Sequence, residues 1–122
     1  MKYIRILKSS NQYRYHATSK HELPFIEDNG LQPYEGQFGK AVYFARSEQG
    51  ALDLAYETTG GNFLLRVKLS DLMTLDYQDF PDQGYTREVV PASMIEYKNI
   101  VNGKWYPLIN QKFSDKPRFK VR

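Results

Sequence analysis

Three short stretches of the chain carry side chains that could do chemistry together. They are Tyr15-His16-Ala17-Thr18, Gly39-Lys40-Ala41-Val42-Tyr43-Phe44-Ala45 and Tyr85-Thr86-Arg87-Glu88-Val89-Val90. Each sets one polar or aromatic residue inside a strand-like run: His16, Tyr43 and Glu88. An imidazole is a hydrogen-bonding group whose charge can change near neutral pH. A tyrosine ring can stack on a flat ligand, a contact worth roughly 0.5–1.5 kcal/mol beyond area burial. A carboxylate can steady a developing positive charge or take a proton from an attacking group. Singly, each has an ordinary explanation: a packed strand histidine, a surface tyrosine, a solvent-facing strand glutamate. On neighbouring strands the three can meet in one cleft.

The rest of the chain must supply those strands. With 122 residues, 41% of them hydrophobic, it suits one domain with one core, spanning residues 1–122. Ten Tyr and seven Phe favour β-structure. No apolar run approaches the ~18 residues of a membrane span, and charge interrupts the N-terminal segment, so neither a membrane segment nor a signal peptide is expected. With no Cys, disulfides and thiolate metal sites are excluded. The formal charge of +3 is uneven: residues 1–20 and 111–122 are basic, while seven bases and thirteen acids lie between. Residues 111–122 read as a basic tail. Basic ends can touch nucleic acid or an acidic protein, although solvated termini explain them more simply.

Residues 3–7 and 12–16 read as strands. Ser19 with Glu22 forms a capping-box pattern ahead of a helix bearing Leu23, Phe25 and Ile26, which Gly30 ends. Pro33, Gly36 and Gly39 mark a loop over residues 31–39, and Ala41–Ala45 a strand. Ala51, Leu52, Ala55 and Tyr56 recur at helical spacing behind Ser47. Phe63, Leu65, Val67 and Leu69 alternate with Leu64, Arg66 and Lys68, predicting a strand with one wet face. Residues 70–72 turn the chain, 79–84 form an exposed polar loop, and Thr86–Val90 is a strand. Met94–Val101 and Lys104–Tyr106 flank Asn102-Gly103, a strong hairpin signal. Strand–helix alternation stops after residue 60, so an α+β domain is expected rather than a doubly wound parallel fold.

The three stretches, in this order, resemble the His-Tyr-Glu branch of the ADP-ribosyltransferases, the branch of diphtheria toxin and the poly(ADP-ribose) polymerases. Ile26–Leu31, the Gly-x-x-Val-Tyr-Phe-Ala pattern of Gly39–Ala45, the helix of Ala51–Tyr56, the strand of Phe63–Leu72 and Val90-Pro91-Ala92-Ser93-Met94-Ile95 extend the likeness over residues 13–101. The resemblance implies two packed, mainly antiparallel sheets around an NAD cleft, with two early helices. It implies that His16 bonds a ribose hydroxyl and that the Ala17 backbone grips the nicotinamide amide, where relatives commonly carry Gly. Thr18 would stand beside them. The nicotinamide would lie between Tyr43 and Tyr56, and Glu88 would bind its ribose, steady the cation and orient the acceptor.

The activity so implied is transfer of ADP-ribose from NAD to a protein or nucleic-acid acceptor, with release of nicotinamide and no metal. The short chain suggests a cytoplasmic microbial or phage toxin or effector, which implies a neutralising partner. Two rivals stand beside it: an NAD-dependent RNA 2′-phosphotransferase, disfavoured by the acidic middle of the chain, and a silent nucleotide- or protein-binding module on the same fold. Other chemistries fit less well. His16 and His21 are a poor metal pair, a phosphate-loop pattern is missing, and Gly60-Gly61 precedes a strand rather than a helix. Asp76, Asp79 and Asp82 read as solvated loop acids rather than a calcium site.

Overall fold

A computed structural model describes residues 12–58 and 61–113. The strand expected at 3–7 and most of the basic tail lie outside these residues. The order of elements is β1 (Tyr13–Thr18), a 3-10 turn (Lys20–Glu22), α1 (Leu23–Asn29), β2 (Tyr34–Gly36), β3 (Gly39–Ala45) and α2 (Glu48–Thr58). There follow β4 (Phe63–Lys68), α3 (Leu69–Met73), β5 (Gln78–Asp79), β6 (Gln83–Thr86), a 3-10 turn (Ala92–Met94), β7 (Ile95–Lys98) and β8 (Trp105–Pro107). The described fold is mixed α+β.

The strands run β5-β6-β3-β1-β4-β7-β8, with β2 on the free edge of the β3 N-terminal half. Their pairings are antiparallel. They make one hydrogen-bonded sheet rather than the two packed sheets expected. What joins the halves is small: β1 and β3 share the single register pair Tyr15–Ala45. On either side the ladders are longer, with β1 paired to β4 over six residues from Tyr13–Lys68 to Thr18–Phe63.

Both faces of the sheet are covered. One packs Val42, Phe44, Leu65, Val67 and Ile95 against Leu23 and Ile26 of α1 and Leu72 of α3. The other packs Ala17, Ala45 and Leu64 against Ala51 and Ala55 of α2. The second face of β4 is therefore covered at Leu64 and partly at Arg66, and open only at Lys68. Leu64 is buried, and Arg66 lies over the rings of Tyr13 and Trp105 while bonding Glu96. Small alanines on both partners let α2 approach the sheet closely.

Other boundaries moved for local reasons. Ser19 precedes the 3-10 turn but makes no side-chain cap; the carboxylate of Glu22 is taken by the Thr18 hydroxyl at 2.5 Å. Pro24 opens α1, where a missing N–H costs nothing. Gly30 ends it at φ 79°, against the Val90 carbonyl, where a Cβ would clash. The polar segment 79–84 is a tight β5–β6 turn: Asp79 pairs with Gly84, and Asp79 is held by Arg14 and Arg46. Leu69, expected to continue β4, instead starts α3. The strand expected at Thr86–Val90 is Gln83–Thr86, with a bend at 87–88 and an isolated Leu31–Val90 bridge. The final hairpin is β7–β8, and Asn99 caps its loop through bonds to the Val101 and Asn102 amides.

Candidate functional site

Beyond Tyr15–Ala45, β1 and β3 part, and the His16 side chain enters the gap. Its Nδ1 donates to the Tyr43 carbonyl at 2.7 Å. A carbonyl only accepts, so Nδ1 carries the proton and Nε2 is left as an acceptor when the ring is neutral. Burial lowers the His16 pKa, against the opposing pull of the Tyr43 carbonyl and the Glu22 carboxylate. The ring is therefore neutral at pH 7. Phe44 packs beside it with centroids 5.7 Å apart, and Tyr34 meets it edge-on at 6.3 Å.

The parting opens a cleft of about 830 Å³, within the ~300–1,000 Å³ typical of small-molecule sites. α1 contributes Phe25 and Ile26, α2 contributes Ala51, Leu54 and Ala55, and the β2 segment contributes Tyr34, Glu35 and Gly36. His16, Ala17 and Tyr43 form the floor where the strands separate. Tyr43 is fixed from two sides: its hydroxyl donates to the Gly39 carbonyl at 2.5 Å and accepts from the Phe38 amide at 2.9 Å. Gly36 lies directly over its ring, and Tyr34 contacts it at 5.6 Å edge-on. Burial and the nearby Tyr43 and Glu22 push the Tyr34 hydroxyl up to about 12, so it stays protonated as a donor.

The cleft thus gathers His16, Ala17 and Tyr43, and Thr18 is buried beside it, bonded to the lining residue Glu22. Two expected residues lie elsewhere. Tyr56 is 84% exposed and outside the lining. α2 turns Ala51, Leu54 and Ala55 inward at the i, i+3, i+4 spacing, which carries position 56 to the solvent side. Leu54 is the large α2 side chain on the lining. Glu88 is exposed and outside the lining as well. β6 ends at Thr86, whose hydroxyl accepts from the Glu88 amide at 3.2 Å, and Arg87 is tied to the Phe38 and Lys40 carbonyls. From β6 the cleft receives Gln83 instead, hydrogen-bonded to Gln37.

Sequence reading missed Glu22, Tyr34 and Leu54. Glu22 looked like a cap, Tyr34 sat in an apparent loop, and only the helical phase of the neighbouring alanines marks Leu54. No Lys or Arg lines the cleft among the described residues. Nor do the described residues hold a group of three or more His, Cys, Asp or Glu placed for a metal. No described helix is long and apolar enough to cross a membrane. Compared with known proteins, the chain matches no family model, no curated protein and no solved structure.

Proposed function

We propose that the chain is a minimal ADP-ribosyltransferase that binds NAD in the cleft between β1 and β3. The observation that carries this reading is the convergence of His16, Ala17 and Tyr43 at the point where the sheet parts, in a cleft large enough for a nucleotide. In this reading His16 Nε2 accepts from a ribose hydroxyl and the Ala17 backbone meets the nicotinamide amide. The flat ring lies between Tyr43 and the Leu54 side of α2. With no Lys or Arg on the described lining, the pyrophosphate lies at the open mouth. The acceptor is a protein or nucleic acid. The same lack of arginines disfavours the RNA 2′-phosphotransferase, which needs them around a phosphate.

The placement of Glu88 favours a second reading, a nucleotide-binding module without turnover. One experiment separates them: the full chain and Glu88→Gln are incubated with NAD labelled on its adenylate half, with protein and nucleic-acid mixtures. Nicotinamide release and labelled acceptor from the wild type support the transferase, and a reduction in Glu88→Gln gives the exposed Glu88 a part in it. NAD binding without release supports the module. Absence of both binding and release rejects the site.

A further inference from the structure

The cleft has a carboxylate of its own in Glu22. Thr18 ends β1, is 1% exposed, and has its hydroxyl directed at Glu22 Oε1 at 2.5 Å. That bond crosses the junction from β1 to the 3-10 turn and fixes a carboxylate that would otherwise be a free surface group. Glu22 lines the cleft together with His16 and Tyr34, and its charge is felt by both. Glu35 is the other carboxylate on the lining.

The walls around them are aromatic and apolar: Tyr15, Phe25, Tyr34, Tyr43 and Leu54. The neutral His16 adds no positive charge. Such a site has a definite preference. A cationic ring gains from the tyrosine faces and from the carboxylates, which are exposed at the cleft and act through solvent-screened contacts. A neutral ring of the same shape gains only the stacking.

We propose that Glu22, positioned by Thr18, faces the positively charged nicotinamide end of the ligand and makes the cleft select the oxidised pyridinium nucleotide over its reduced, neutral dihydropyridine form. The inference rests on the NAD reading above and adds to it a residue and a selectivity. It also assigns the role of facing positive charge to a carboxylate that lines the cleft, which Glu88 does not.

The test is titration calorimetry of the full chain with NAD⁺ and with NADH, using wild type, Glu22→Gln and Thr18→Val. Thermal unfolding of each variant checks that the fold is kept. The wild type binds NAD⁺ about tenfold or more tighter than NADH, the effect of one partly screened charge contact. Glu22→Gln brings the two affinities toward parity by weakening NAD⁺ alone, with its melting temperature unchanged. Thr18→Val, which leaves the carboxylate in place but unanchored, gives an intermediate ratio. NAD⁺ binding with the same ratio in Glu22→Gln as in wild type overturns this inference and leaves the NAD reading standing. Failure of the wild type to bind either nucleotide overturns both.

Discussion

Replacing Gly36 with alanine strikes the cleft wall at its tightest point. A Cβ built there would overlap Cε2 of Tyr43 and lie 2.7 Å from its Cζ and 2.9 Å from its hydroxyl oxygen. The backbone of Gly36 is not in the left-handed region, so the penalty is one of space. The ring has little freedom to yield, since its hydroxyl is bonded to both Phe38 N and Gly39 O and its face meets Tyr34. Either β2 lifts from β3 or the ring moves and gives up those bonds. Overpacking of this kind costs about 1–3 kcal/mol, and losing hydrogen bonds adds ~1 kcal/mol each. Gly36→Ala should therefore lose about 2–4 kcal/mol in urea unfolding, a drop of roughly 6–15 °C in melting temperature for a domain of this size. NAD affinity should fall with it, because the displaced ring and β2 both line the cleft. The Gly36→Ala/Tyr43→Phe double variant should not recover, since the ring carbons remain. A Gly36→Ala protein as stable as wild type would refute the described packing of β2 over Tyr43.

Asp79→Asn should cost about 3 kcal/mol, because it strands the buried Arg14 guanidinium. Burial acts to raise the Asp79 pKa, but Arg14 and then Arg46 hold it below the ordinary carboxylate value. Its contribution is therefore full above about pH 4 and is lost as pH falls through the lower folded-state value; denaturant titrations from pH 7 to 2 read this loss, which Asp79→Asn should lack. His16 behaves as a second group with its pKa lowered by burial, so the unfolded chain takes the proton first and stability declines as pH drops below about 6.5. His16→Asn keeps a donor for the Tyr43 carbonyl but no titrating site, and between pH 7.5 and 5 it should be spared a loss of at most about 2 kcal/mol that the wild type shows. Tyr56→Ala should leave both stability and NAD affinity unchanged, whereas Leu54→Ala should weaken binding severalfold in the same calorimetric assay, given their positions outside and inside the lining.

Periodicity made much of this fold legible. Alternation announced β4, and the core took Phe63, Leu65 and Val67 as expected, because a strand with a buried face must place every second residue inward. Gly30 and the alanines of α2 were equally readable, being demanded by a helix end and by close helix–sheet contact. Elements decided by tertiary partners were not. β2 contains Tyr34 and Gly36 behind Pro33, a loop-like string that is a strand only because β3 offers an edge. Arg14 counted as one of the solvated bases, yet it is 4% exposed, bound to an aspartate 65 residues away. The placement of His16 and Tyr43 at the cleft was readable because the surrounding strands fixed their neighbours. Glu88 lies outside the cleft because β6 ends two residues before it, at Thr86, and Tyr56 because it sits two positions along α2 from Leu54, on the other side of the helix.

The Tyr15–Ala45 pair is an isthmus. Among the described residues four strands lie on each side of it, and hydrogen-bonded continuity crosses through one residue pair and one imidazole. The backbone ladder contributes little to keeping the two banks together; that work falls to α1, α2 and the core they cover. A nucleotide in the cleft would touch both banks, through His16 and Ala17 on one and Tyr43 on the other. It would act as a clasp across the narrowest part of the sheet. Protection of the slowly exchanging amides on both sides, in β4 and β6 alike, would then rise together on binding, since each bank opens most easily by separating from the other.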